Sequence, residues 1–467
     1  MVESQSVVRR ALLAVGLSLL LCPIIALADP PTERPARVSN LEALTRSARA
    51  HYPQLRAARH RITAARARLA EATISPFFQL AATASVTMAP EAHGTSIFSP
   101  DPQLPLSNPW RPVVQVGVEG AIPLYTFGKI SAARDAARAG VRAAEQGELV
   151  DLAQLLYDVR RAYFSLQMAL DVEQMIGEGE GRLERAAEQL DERIEEGSEE
   201  VNEQDRYRLA SAIAEVQARR SEAQRLEDSA RAALQILTDV PRIQVPDCPL
   251  RQVAYEPRPR AHYVRLASRN RPELAMLQAG IDAREANAQA TRARYFPDLV
   301  LALSASHSYG PGITNQTNPF VVDRANYSSL GAALVARWSL DVWGNVHRVR
   351  RAEAELNETR ELAEMARRGV ELEVSSVYYE LEDARRREEA WGNGHRQGRT
   401  WFVAAAQAYQ VGALEPRELV DALKAYFTAR FAHLQSIRDY DVAVANLERV
   451  SGEVLVAPGA WEERCEE

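Results

Sequence analysis

The sequence predicts a mainly α-helical chain with a membrane β-barrel part. Long antiparallel helical hairpins build an α-barrel, and four β-strands per chain contribute to a barrel shared between copies. Three observations carry this fold class. The sequence repeats one plan at an offset of about 215 residues, its long segments hold a narrow apolar seam, and four short segments alternate apolar with polar residues. The 467 residues are 46% hydrophobic, 25% charged and 7% aromatic, which excludes a disordered chain and a small disulfide scaffold. Net charge is −7, from 56 Lys+Arg against 63 Asp+Glu with no basic run, so nucleic acid is not an expected partner.

Taken in order, residues 1–28 read as a signal peptide. Arg9 and Arg10 precede an apolar run from Ala11 to Leu27, and Ala26-Leu27-Ala28 supplies the small-residue cleavage pattern. A lipoprotein reading would acylate Cys22, but Leu21 stands where a small residue is wanted. Past residue 28 no stretch offers the roughly 18 apolar residues of a membrane helix, so contact with a bilayer would have to be made by strands.

The first repeat is expected over 29–240 and the second over 260–452, with a Pro-rich link at 241–259 and a tail at 453–467. His51-Tyr52-Pro53-Gln54-Leu55 and Asn270-Arg271-Pro272-Glu273-Leu274 each open an Ala/Arg-rich helix. Strands follow at about 77–88, 113–124, 298–309 and 328–340. Phe78, Leu80, Ala82, Ala84, Val86 and Met88 share one face of the first; Val114, Val116, Val118, Ile122 and Leu124 do so in the second. Leu299, Leu301, Leu303 and Ala305 mark the third, and Leu330, Leu334, Trp338 and Leu340 the fourth. These lengths are close to the roughly 9–11 residues of a tilted membrane strand. The smallest membrane barrels have about 8 strands, so several copies must close one barrel.

Long helices come next. Leu149, Leu152, Leu156, Val159, Tyr163, Leu166 and Leu170 are spaced 3-4-3-4-3-4, and Val370, Val374, Val377 and Leu381 repeat the pattern. Gly177, Gly179 and Gly181, with Gly392, Gly394 and Gly398 in the second repeat, predict kinks or frayed turns. Gly197 and Gly412 predict hairpin tips, with Ser198 capping one following helix and Pro416 opening the other after Glu415.

Catalysis is not expected. There is no H-E-x-x-H, G-x-S-x-G or phosphate loop, and the His residues are scattered singly, so neither a metal nor a cofactor is implied. Two classes remain: a channel, or an exported coiled-coil scaffold or adhesin without channel activity. The strands discriminate them.

Ile122-Pro123-Leu124-Tyr125-Thr126-Phe127-Gly128-Lys129, Leu340-Asp341-Val342-Trp343-Gly344 and Tyr409-Gln410-Val411-Gly412-Ala413-Leu414, followed by Asp421-Ala422, stand in the order found in the TolC family of outer-membrane efflux proteins, which this chain resembles over residues 39–452. The resemblance implies a homotrimer with a 12-stranded barrel in outer-membrane lipid and a long helical tube in the periplasm. It also implies an exit duct for a tripartite efflux or type I secretion system, joined to an inner-membrane pump through a periplasmic adaptor. Carried over residue by residue, Gly197, Val411, Gly412 and Ala413 are adaptor-docking tip turns. Glu418 and Asp421, with Tyr409 and Glu203, form the periplasmic constriction. An arginine common in the family after the second tip is Leu414 here, and Arg417 stands nearby as a substitute. The family also gathers the inter-repeat link and the tail at the middle of the tube, which would bring Cys248 to Cys465; a disulfide and two free thiols both remain open.

Overall fold

The computed structural model describes residues 37–38, 40–77, 79–93, 107–195, 203–246, 248–315, 320, 323, 325–411 and 413–461. Met1–Arg37 is a unit of its own, of which Arg37 alone is described. The unit Val38–Glu467 contains, in chain order, α1 (Leu41–His51), α2 (Pro53–Ile74), β1 (Gln79–Pro90), β2 (Trp110–Tyr125), α3 (Lys129–Glu195) and α4 (Glu203–Thr238). The second repeat then supplies α5 (Arg260–Asn270), α6 (Pro272–Arg292), β3 (Asp298–Tyr309), β4 (Tyr327–Arg337), α7 (Val342–Gln410) and α8 (Pro416–Ser451).

Proline punctuates both repeats identically. The Asn40 side chain accepts from the Ala43 amide at 3.0 Å and caps α1. Pro53 then ends that helix and, needing no amide partner at a first turn, begins α2. Pro272 separates α5 from α6 in the same way. Each predicted short helix is thus preceded by an 11-residue helix.

The four strands form one antiparallel sheet in the order β1-β2-β3-β4. Paired residues in antiparallel strands point to the same side, so the register decides which faces merge. Ala82 pairs with Val118, Val118 with Ala305, and Ala305 with Leu330. The four apolar faces therefore make one continuous surface, carrying Leu80 at 68% and Leu330 at 89% exposure. Gln115, Glu119, Ser304, Ser306 and Ser329 lie on the other side, where Ser306 and Ser329 hydroxyls meet at 2.7 Å. The third strand runs as expected over 298–309, and the ends of the other three differ from expectation by one to three residues. The ladder of the fourth stops at Arg337, and Trp338 beyond it donates its indole N–H to the Tyr295 carbonyl at 3.1 Å. The outer edges of β1 and β4 have no strand partner among the described residues.

The strand-to-helix junctions solve one problem in two ways. After β2, Phe127 and Gly128 take φ of 50° and 91°, a left-handed turn that only Gly adopts freely. Before α7, the Asp341 carboxylate accepts from the Gly344 amide at 3.0 Å and pairs with Arg348 at 2.8 Å. A Cβ on Gly344 would lie 2.2 Å from that carboxylate, so the glycine of the motif makes room for the cap.

α3 has 67 residues and α7 has 69, each about 100 Å long at 1.5 Å per residue. One stretch of α3 pairs with α4, and it also packs on α2, α6 and α8, while α7 pairs with α8 and packs on α6. Buried Ala132, Ala139, Ala279, Ala286, Ala352 and Ala363 allow close approach. Arg66–Glu145 at 2.8 Å, Arg142–Asp282 at 2.7 Å and Arg284–Glu355 at 2.9 Å join neighbouring helices at the surface. In the seam of α3, Val159, Tyr163 and Leu166 are buried, but Leu155 rather than Leu156 fills the turn before them, and Leu149 is exposed. Tyr263, Leu381, Tyr440 and Leu447 complete this central core, across which Arg160 pairs with Glu448 at 2.8 Å and lies over the Trp461 ring.

The glycine expectation is corrected. Both long helices run unbroken through Gly177–Gly181 and Gly392–Gly398. A Cβ on Gly179 would sit 2.8 Å from Phe427 Cζ, and one on Gly398 would sit 3.3 Å from Tyr426 Cα. These glycines are seats for α8, and the packing they permit outweighs the roughly 1 kcal/mol that each costs the helix. No described helix is long and apolar enough to cross a membrane.

Candidate functional site at the hairpin tip

The tip between α7 and α8 is built by local backbone chemistry. The Ala413 amide donates to the Ala408 carbonyl at 2.9 Å as α7 ends. Glu415 is then extended, and Pro416 occupies the first turn of α8 as the sequence led us to expect. Val411 is 79% exposed and Ala413 is exposed. Gly412, and with it Gly197 and Ser198 of the first tip, lie outside the described residues.

α8 buries one side and exposes the other. Val420 and Leu423 pack with Leu183, Leu190, Leu209 and Phe402. Arg417, Glu418 and Asp421 are exposed. Three residues of helix separate the two acids, about 4.5 Å along the axis, so they share one accessible stripe. The Asp421 carboxylate is 3.9 Å from Arg417 Nε on the same helix, a loose pair between two largely exposed side chains. Arg417 thus meets an acid of its own helix. Glu203 opens α4 and is exposed; Tyr409 is buried, in line with Phe402 and Ala405 along α7.

Above the tip, Lys424 of α8 reaches Glu215 of α4 at 2.8 Å, and this bond holds the Glu215 carboxyl below its ordinary value. Beside it an apolar cavity of about 300 Å³ opens between α3, α4 and α8, lined by Met175, Val216, Leu423, Phe427 and Phe431 among others. No described group of three or more His, Cys, Asp or Glu residues converges as a metal site. Cys248 is disulfide-bonded. A sulfur so bonded carries no proton, so its 3.7 Å approach to the Pro246 carbonyl is a contact only. Cys22 and Cys465 lie outside the described residues.

Sequence reasoning missed two clusters because their members are remote in the chain. Arg271 joins Glu273, Glu373 and, through Glu373, Arg449. The His395 and His433 rings pack against one another at a tilt of 39°, with centroids 5.5 Å apart. In the sequence Arg271 stands between two helices and the two His residues on separate ones, and only the pairing of α7 with α8 joins the second cluster.

A chain with one continuous apolar sheet face, outer sheet edges unpaired among the described residues and acid-bearing hairpins on long helices has the architecture of a channel-forming protein of the outer membrane. The outer membrane efflux protein family model matches residues 44–239 and 263–453, and the chain belongs to that family. It is accordingly an outer-membrane efflux channel with a periplasmic helical extension, a passive conduit and not an enzyme. By sequence alone no characterised protein matches. Among solved structures it is similar to CusC, at 18% identity over 92% of this chain and 96% of that one, with a TM-score of 0.74. The Neisseria gonorrhoeae MtrE outer membrane channel, solved in its open state, matches at 19% identity over 89% of each chain with a TM-score of 0.72. VceC, an outer membrane protein of Vibrio cholerae, matches at 17% over 89% of this chain and 97% of that one, TM-score 0.71.

Proposed function

We propose that three copies of this chain close a 12-stranded barrel and serve as the exit duct of a tripartite efflux or type I secretion system. A periplasmic adaptor couples the duct to an inner-membrane pump. The observation that carries this reading is the merged apolar face, which ends at the outer edges of β1 and β4, unpaired among the described residues. Backbone groups in a bilayer must be paired, so those edges call for further copies. A second seam supports assembly: Leu362, Met365, Gly369, Leu372, Ser376 and Tyr379 follow a 3-4-3-4-3 spacing on α7 and are all exposed in the single chain.

In this reading the tip turns Gly197, Val411, Gly412 and Ala413 dock the adaptor. Glu418 and Asp421 narrow the entrance, with Glu203 and Tyr409 beside them, and Cys465 is the partner of Cys248. Thiol labelling of the unfolded, unreduced protein tests that pairing, since two reactive thiols in the mature chain reject it. The reading as a whole is tested by detergent extraction of the outer membrane and mass determination of the particle. A particle of three mature chains is expected. A monodisperse monomer, or recovery of the chain in the soluble fraction, overturns it, and the latter favours a scaffold.

A further inference from the structure

We propose that His395 and His433 form an acid-sensitive latch between α7 and α8, which loosens this hairpin when the compartment around it acidifies. The latch rests on the proposed duct, in which the same hairpin ends at the channel entrance.

The latch is a built feature. The His433 ring faces Gly392, where a Cβ would lie 3.1 Å from Nε2, so only glycine leaves that seat open without displacing the ring. His433 Nε2 is 3.2 Å from the Glu388 carboxylate, and these side chains are 21% and 17% exposed. His395 packs against His433 at a tilt of 39° and lies 5.6 Å from the Tyr426 ring, which in turn stacks on Phe402 at 5.6 Å. The imidazole pair therefore continues an aromatic column that runs toward the tip core.

The charges facing the pair are unbalanced. Arg396 and Arg399 come from α7 and Arg430 from α8. Glu388 faces them from α7, and Glu178 of α3 is bound to Arg430 at 2.8 Å. With both imidazoles protonated, five positive groups would meet two carboxylates. Burial, then the neighbouring His433 and the three arginines, already holds the His395 pKa below its ordinary 6.5. A closed hairpin thus binds fewer protons than an opened one below that pH, so acid favours opening.

Hydrogen–deuterium exchange on the detergent-solubilised assembly, at about pH 7.5 and about pH 5.5 with intrinsic rates corrected, reads the hairpin directly. In the wild type, peptides spanning 388–402 and 423–437 should lose protection on acidification by up to about tenfold, the limit that a final pH about one unit below the ordinary 6.5 sets for one imidazole. His395→Gln should lose most of that response and His433→Gln, which leaves the burial of His395 in place, a smaller part of it, while His347→Gln, at an exposed position of α7, should keep it. Unchanged protection in the wild type, or an acid response that survives in both variants, overturns the latch. If the variants fail to assemble, the wild type still decides: loss confined to these segments supports the latch, and loss spread evenly over the chain rejects it. Because backbone amides are measured, the outcome is independent of whether Glu418 and Asp421 line the entrance.

Discussion

Lys129, the first residue of α3, donates to the Asp298 carboxylate at the first residue of β3 at 2.8 Å, and to the Phe296 carbonyl at 2.9 Å. One cation thereby joins the long helix of the first repeat to the first strand of the second. The Phe127 ring stacks on Phe296 at 5.1 Å beside it, so a left-handed turn, an aromatic pair and a part-buried ion pair meet at one collar. A part-buried charged hydrogen bond contributes about 1.5–3 kcal/mol. We expect Lys129→Met and Asp298→Asn each to lower the thermal midpoint of the assembly, and the double mutant to cost less than the two together by about 1 kcal/mol. Strict additivity would show that the two groups do not act as a pair.

Gly179 and Gly181 lie two positions apart on the helix and should respond oppositely to enlargement. A side chain at Gly179 collides with Phe427, whereas nothing lies within 4 Å of a Cβ at Gly181. Gly179→Leu should destabilise by about 1–3 kcal/mol through overpacking. Gly181→Ala should stabilise by up to about 1 kcal/mol, because alanine restricts the unfolded chain and suits a helix. Melting curves of the two proteins in one detergent check this, and equal shifts in the same direction would contradict the seating of α8 on α3.

Acid should weaken the Arg271 network. Burial raises the Glu373 pKa, but the hydrogen bond and charge of Arg271, and then Arg449, outweigh it and hold the carboxyl below its ordinary 4.5. A carboxylate with a depressed pKa adds stability that is complete above its unfolded value and is lost as pH falls through its folded one. Denaturation midpoints of the wild type should therefore drop below about pH 4.5, and Glu373→Gln, already lacking the charge, should be less stable at neutral pH with a shallower acid limb. An acid limb as steep in the variant as in the wild type would assign acid sensitivity elsewhere.

The fold was legible wherever a pattern is local. Period-two alternation located the four strands, and the register then merged faces that Leu80, Val118, Ala305 and Leu330 had marked singly. The α3 seam was legible for the same reason, although 3.6 residues per turn shifts the buried position from Leu156 to Leu155. Glycine misled, because helix propensity is a local cost and the gain from Phe427 and Tyr426 comes from another helix. Pro416 and Glu415 were readable as a helix start, since capping is also local. Arg417 was not: the same residue could serve a neighbouring half or its own Asp421, and within the single chain it stands 3.9 Å from Asp421. The His395–His433 pair spans 38 residues of sequence and had no local signal at all.

The tip acids give the sharpest test of function. Glu418 and Asp421 share an exposed stripe of α8, and Arg417 stands 3.9 Å from Asp421. In a trimer each residue occurs three times, so a narrow entrance would gather up to six carboxylates partly offset by three guanidinium groups. Such a ring raises the local concentration of cations, and salt screens it fully only beyond about 8 Å at physiological ionic strength. Single-channel recording in planar bilayers should show cation preference and block by multivalent cations in the parent. Both should fall severalfold in the Glu418→Gln, Asp421→Asn double mutant. Arg417→Gln should move the same two quantities the other way, because it removes positive charge from the stripe while leaving both acids in place. That opposition in sign separates a local field from general damage to the channel, which would push all variants together. If the double mutant and Arg417→Gln both match the parent in preference and block, the stripe faces away from the ion path and these residues are not the constriction.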